Sequence, residues 1–228
     1  MPAKLFVLPV SRCVLFSDLV KYLNLDVELV YLKPTAGGFG NPEFFEHFPL
    51  KKVPAYLETS SNGETSSLTE MVAIAKYLID KAIAEKIPQV EKAIELGYGS
   101  KGTSDFKTHS DIIRWLSFVT SEYVTVTADA MLMTFGLKEK DDELAEKCSK
   151  KSLEYFANFA SSTLKRQKFL ADPNVPTLAD FATIMPFYYS LPYGLTEEYK
   201  AKYPEVIAWA KAVCSNDFVK ESFKDAKL

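Results

Sequence analysis

The sequence predicts an α/β domain over residues 1–83 followed by an all-α domain over 84–228. Three observations predict it. As far as Lys81 the apolar residues switch between period two and period 3.6, so strands and helices interleave. From about Asp105 onward only the helical period remains. Between the two regimes, Gly97-Tyr98-Gly99-Ser100-Lys101-Gly102 has the composition of a loop before a long helix. A chain of 228 residues, 47% hydrophobic and 25% charged, has the composition of an ordinary soluble protein and the length for two compact domains.

Each element follows from local pattern. Lys4 to Leu8 reads as a strand rich in Leu, Phe and Val. Ser11 to Leu23 carries Leu15, Leu19, Tyr22 and Leu23 at helical spacing. Asp26 to Leu32 returns to period two, with Val27, Leu29 and Tyr31 on one face. Lys33 to Gly40 is expected as a loop, and Pro42 to Phe48 as a short helix. Ala55 to Glu58 and Thr65 to Leu68 flank Ser61-Asn62-Gly63, a strong turn signal, so they should pair as a hairpin. Thr69 to Lys81 closes the unit as a helix with Met71, Ile74, Ala75 and Leu78 on one face. The order βαβαββα describes a thioredoxin-like domain. In the second half, Ile112, Leu116, Val119 and Tyr123 form one stripe, and Leu153, Phe156, Ala160 and Leu164 another. Leu178, Phe181, Ala182 and Met185 follow, then Val206, Ala210 and Val213. Thr177-Leu178-Ala179-Asp180 reads as a capping box opening a helix.

Several function classes fall away. No apolar run approaches the ~18 residues that span a membrane. Met1-Pro2-Ala3-Lys4 leads into strand-like sequence without a signal-peptide pattern. The 3 cysteines are odd in number and far apart, so reduced thiols and a cytoplasmic setting are expected. With 2 histidines and no Cys/His spacing, no metal site is expected. A net charge of -3 argues against broad nucleic-acid binding. Lys200, Lys202, Lys211 and Lys220 alternate with Glu197, Glu198, Glu205 and Glu221, the pattern of a solvated helical surface.

Two stretches carry the chemistry. Phe48-Pro49-Leu50-Lys51-Lys52-Val53-Pro54-Ala55-Tyr56-Leu57-Glu58 places Pro54 where a strand should begin, a position that lacks a ladder donor. A cis Val53-Pro54 bond there would leave the Val53 backbone N–H and C=O free for a ligand. Leu68-Thr69-Glu70-Met71 places Glu70 at a strand-to-helix junction beside unpaired amide groups.

These stretches resemble the glutathione-binding half of the glutathione transferase fold. Residues 4–228 are similar to the N-terminal, transferase-like domain of translation elongation factor 1-gamma, of the fungal type. The resemblance rests on Lys21-Tyr22-Leu23-Asn24-Leu25-Asp26-Val27, the Phe-Pro-Leu-Lys-Lys-Val-Pro-Ala run, Leu68-Thr69-Glu70 and Asp111-Ile112-Ile113-Arg114-Trp115. Thr177 to Asp180, Tyr203 to Trp209 and Asp217-Phe218-Val219-Lys220 add to it. Full-length gamma subunits continue past this point, so the chain is an excised domain or a free-standing relative.

The resemblance implies a scaffold for the nucleotide-exchange complex of translation elongation, binding its exchange-factor subunit and forming a homodimer. The alternative it implies is a transferase conjugating glutathione to small electrophiles; an adaptor of a tRNA-synthetase complex is a third. Glutathione would be a ligand or co-substrate, with no other cofactor. It would pair with the Val53 backbone beside Pro54, meet Lys52 through its glycine carboxylate, and give its γ-glutamyl end to Glu70 and the N-terminus at Met71. Transferases usually carry Ser where this chain has Met71, and losing that bond would cost about 1.5–3 kcal/mol. The thiol-activating position falls in Val10-Ser11-Arg12-Cys13. Ser11 is the candidate hydroxyl, Arg12 an electrostatic helper, and an N-cap role for Ser11 is favoured over catalysis. Cys13 reads as a small core residue rather than a redox thiol.

Other candidates have plainer readings. Gly37-Gly38-Phe39-Gly40 lacks the lysine of a phosphate loop and reads as flexible, though placed to line a pocket. Trp115, Tyr123, Tyr188 and Tyr189 read as packing residues, and Arg114 alone on its helix is weak ground for a site.

Overall fold

The computed structural model describes residues 3–9, 11–35, 38–134, 138–225 and 228, and the chain divides into two units, Met1–Ala93 and Ile94–Leu228. The first unit runs β1 (Ala3–Val7), α1 (Ser11–Leu23), β2 (Val27–Tyr31), β3 (Pro34–Thr35), β4 (Gly38–Phe39) and α2 (Pro42–His47). It continues through β5 (Ala55–Thr59), β6 (Thr65–Thr69) and α3 (Met71–Ala84) into α4 (Val90–Tyr98). The main sheet has the order β2-β1-β5-β6. Strand β1 is parallel to β2, with Val7 opposite Tyr31, and antiparallel to β5, with Phe6 opposite Ala55. Strands β5 and β6 form the expected hairpin, in which Ala55 faces Thr69. Its turn needs a positive φ, and Gly63 supplies one of 85° without a side-chain penalty.

Period two sorts the sheet into two buried faces. Phe6, Ala55 and Leu57 pack with Leu32 and with Phe44 and Phe48 from around α2. Phe6 and Phe44 lie 5.4 Å apart, centroid to centroid. Lys4, two residues before Phe6, reaches the same side and pairs with Glu43 at 2.8 Å. On the other face Tyr56 meets Tyr77 of α3, 5.5 Å between rings. The central strand is covered on both sides: Leu5, Phe6 and Val7 are fully buried.

The structure corrects three boundaries. The stretch expected as a loop over residues 33–40 contains the β3–β4 pair, in which Pro34 faces Phe39 and Thr35 faces Gly38; Gly37 lies outside the described residues. Helix α3 starts at Met71, since β6 pairs as far as Thr69 and Glu70 takes a φ of 72° between them. Gly97 and Tyr98 belong to α4, so the loop that follows begins at Gly99.

The second unit is helical: α5 (Phe106–Phe118), a π-helical turn (Val119–Tyr123), α6 (Val124–Thr134), α7 (Asp142–Leu164), α8 (Leu178–Gly194), α9 (Glu197–Lys202) and α10 (Pro204–Cys214). Every residue of the expected apolar stripes is buried. Between α7 and α8 a chain of hydroxyls replaces part of the oil: Ser190 donates to Ser152 at 2.8 Å, and Ser152 donates to Tyr123 at 3.3 Å. The charged tail is solvated in part: Lys200–Glu197 and Lys220–Asp217 pairs lie toward solvent, whereas the Glu205 side chain is largely buried and accepts from the Ser161 hydroxyl.

Two acids organise the units. Asp180 completes the capping box at the start of α8, receiving the Thr177 N–H at 2.9 Å. It also receives the Leu170 N–H and the Trp209 indole N–H, each at 2.8 Å. It is fully buried, and that burial outweighs its donors, lifting the carboxyl to about 6. In the first unit, Glu58 takes the Tyr56 hydroxyl at 3.0 Å, the Tyr77 hydroxyl at 2.7 Å, and the Lys81 ammonium. Burial opposes its charge, yet the three donors win and hold the carboxyl below the usual range.

Replacing Asp180 by Ala strands three buried donors, so a loss of at least about 3 kcal/mol is expected in urea unfolding. A loss under about 1 kcal/mol would show that solvent or neighbours satisfy those donors. For Glu58 the sign runs the other way with pH. Its native carboxyl binds protons less readily than the unfolded one, so it stabilises above the unfolded value and stops doing so as pH falls through the native value. Glu58→Gln should therefore be less stable than wild type by about 1 kcal/mol at neutral pH, with the gap closing below about pH 4. Equal gaps at both pH values, measured by thermal unfolding, would contradict this.

Candidate functional site

Strand register assembles the site at one end of the sheet. Ala55 opens β5 and faces Phe6 on one side and Thr69 on the other. The residues just outside that row are therefore Pro54 and Glu70, while β1 ends beside them at Val7 and leads to the N-terminus of α1. Ligand sites of sheet proteins favour such strand ends, where loops converge and backbone groups are unpaired.

The Val53-Pro54 bond is cis, as the sequence suggested. Pro54 is buried, whereas Val53 is half-buried and packs on the Phe44–Phe48 cluster. The Val53 backbone N–H and C=O have no partner among the described residues. Glu70 is exposed at the N-cap of α3; its C=O accepts from Ile74 N–H at 3.0 Å, and its side chain caps nothing. A carboxylate and unpaired first-turn N–H groups thus share one corner, offering sites for an ammonium and an anion respectively. Its positive φ is sparsely populated for a non-glycine residue, a cost that recurs at ligand sites. The Met71 side chain is buried in the core, so only its backbone can face the groove. Lys52 is exposed, and Lys51 beside it lies over the Phe45 ring at 5.0 Å.

The thiol-activating position is only partly described. Ser11 begins α1, but its side chain lies outside the described residues, as does Val10. Arg12 is exposed. Cys13 is fully buried, and that burial pushes its thiol up to about 11. A thiol sealed from solvent and held in its protonated form has the character of a core residue. Arg114, in the second unit, is committed elsewhere: it bonds Asp111 at 3.3 Å and covers Trp115 at 4.9 Å. Tyr123 is fully buried, and its neighbours in the core make it packing rather than pocket. Among the described residues no group of His, Cys, Asp and Glu could hold a metal ion.

Sequence reasoning missed the φ of Glu70 and the Tyr56–Glu58–Tyr77–Lys81 cluster. The i,i+4 spacing of Tyr77 and Lys81 was readable, but nothing local pairs them with a strand residue nineteen positions before Tyr77.

Known proteins resemble this chain in sequence and in fold. Residues 1–80 match the model for the glutathione S-transferase N-terminal domain, and residues 115–217 match that for its C-terminal domain. The chain belongs to the glutathione S-transferase family. Within it, elongation factor 1-gamma 2 of Saccharomyces cerevisiae is 30% identical over 210 residues, covering 92% of this chain and 46% of that protein. An elongation factor 1 gamma homolog of the same yeast is 27% identical over 218 residues, covering 95% of this chain and 89% of its own. The chain thus spans about half the length of the longer gamma factor, 46%, and most of the shorter homolog. The crystal structure of the GST-like domain of elongation factor 1-gamma from that yeast matches with a TM-score of 0.70 and 27% identity, over 99% of this chain and 94% of that one. A glutathione transferase homolog from Lodderomyces elongisporus shares the fold, with a TM-score of 0.72 and 18% identity over the whole of both chains.

The burial of Cys13 and Cys214 gives a direct check. Iodoacetamide at about pH 8 should modify half-buried Cys148 first and reach the other two only on unfolding, as read by mass spectrometry. Labelling of Cys13 as fast as Cys148 in the native protein would restore a reactive thiol to the cleft.

Proposed function

We propose that this chain is a transferase-like interaction domain of the elongation factor 1-gamma type. It scaffolds the nucleotide-exchange complex of translation elongation by binding the exchange-factor subunit, as a homodimer in the cytoplasm. One observation carries the reading: the likeness to yeast gamma factors runs through both units rather than the sheet unit alone. One feature of the cleft agrees with weakened glutathione binding: an apolar, buried Met71 stands where transferases usually carry the hydroxyl that would hold the γ-glutamyl carboxylate.

The second reading, a residual glutathione transferase, is favoured by a separate observation. The unpaired Val53 backbone and the exposed Glu70 carboxylate flank the cis proline at the same strand ends. In that reading Lys52 meets the glycine carboxylate, Glu70 the γ-glutamyl ammonium, and Ser11 the glutathione thiol. No membrane contact enters either reading; no helix among the described residues is long and apolar enough to cross a bilayer.

One paired experiment separates them. Purified chain is tested for capture of the exchange-factor subunit, and separately for conjugation of glutathione to an aryl halide with wild type and Ser11→Ala. The scaffold reading expects capture, glutathione binding no tighter than about millimolar, and no turnover that depends on Ser11. Turnover that collapses in Ser11→Ala, with no capture, would replace it with the enzyme. If glutathione binds at all, Glu70→Gln should weaken it about tenfold, since a charge-assisted bond is lost; unchanged affinity in calorimetry would remove Glu70 from the site.

A further inference from the structure

The opposite end of the same sheet holds a cavity that the cleft chemistry does not use. Ala3 faces Val27 where β1 and β2 begin, and Leu57 faces Lys4 where the pairing of β5 with β1 ends. Between these strand ends and the last turns of α3 lies a cavity of about 330 Å³. That lies at the lower end of the range of small-molecule sites, about 300–1,000 Å³. Among the described residues its floor is apolar, made of Ala3, Leu78 and Ala82, each nearly or fully buried.

Its charge is one-sided. Among the described residues, Glu58, Asp26 and Glu85 contribute three carboxylates to the wall, against the one ammonium of Lys81. Lys81 is tied to Glu58, which also holds Tyr56 and Tyr77, so this part of the wall is rigid and its charge already matched. Lys81 also pairs with Glu85 at 3.8 Å, a looser contact than its bond to Glu58, and Asp26 has no side-chain partner among the described residues. Two exposed carboxylates, Asp26 and the loosely paired Glu85, therefore line a cavity with an apolar floor. Anions are repelled there, and neutral ligands gain only the floor.

We propose that this cavity binds a small organic cation, a primary ammonium or guanidinium carried on a compact apolar body. The body covers Ala3, Leu78 and Ala82, and the charged head sits between Asp26 and Glu85. This inference is independent of the role of the cleft, since neither glutathione nor a protein partner enters its test.

Phenethylamine fits the volume and serves as probe, with 2-phenylethanol as a neutral analogue of the same shape. Titration of the full chain by amide chemical-shift mapping and calorimetry should show saturable binding of the amine, with shifts at Asn24–Val27 and Glu85–Ile87. The amine should bind about tenfold tighter than the alcohol, and weaken several-fold between about 20 and 200 mM salt. The double variant Asp26→Asn, Glu85→Gln changes exposed residues only and should bring amine and alcohol to equal affinity with thermal stability unchanged. Equal binding of amine and alcohol by the wild type would overturn the proposal. So would salt-independent binding, shifts confined to the Pro54 end, or no saturation by on the order of 10 mM. If the double variant loses stability, the neutral analogue and the salt series on wild type decide the matter.

Discussion

The register that sets Ala55 between Phe6 and Thr69 is the constraint on which the first unit depends. Proline 54 has no N–H to give, so the ladder of a central strand can open only after it. That one residue fixes which end of the sheet carries unpaired backbone and which carries Glu58. A slip by one position would turn Ala55 and Leu57 away from Phe44 and send Tyr56 into the α2 face, exchanging apolar fill for a hydroxyl. The aromatic cluster around Phe6 thus holds that strand end in place from behind.

Two buried or half-buried acids show how burial and donors compete. Both lose solvent, and in both that loss is the largest single influence on the carboxyl. Glu58 keeps a solvent-facing edge and has an ammonium among its donors, so its charge is favoured. Asp180 has neutral donors alone and no solvent, so burial prevails and protonation comes easily. Its role is accordingly one of geometry: it ties the start of α8, the preceding loop at Leu170 and Trp209 of α10 to one point.

The cleft offers backbone groups and a carboxylate rather than a reactive protein thiol. Backbone at Val53 and the carboxylate at Glu70 remain available, yet the cysteine beside the first turn is sealed in the core. The backbone groups at Val53 and at the strand-to-helix turn of Glu70 are set by the register of β5 and β6, whereas the Met71 side chain serves the core.

Local pattern in the sequence determined a good deal. Period two and period 3.6 gave the strands and helices, Ser61-Asn62-Gly63 gave the hairpin, and Thr177-Leu178-Ala179-Asp180 gave a helix start, because each signal acts within a few residues. The proline before β5 and the acid before α3 were also legible, since each breaks a local rule. What only tertiary structure decided lies at longer range. Asp180 reaching Trp209, Glu58 gathering Tyr77 and Lys81, the φ of Glu70, the small β3–β4 pair and the cavity beside Ala3 all arise where distant segments meet. Such meetings are set by which faces pack together, and no spacing within a single segment encodes them.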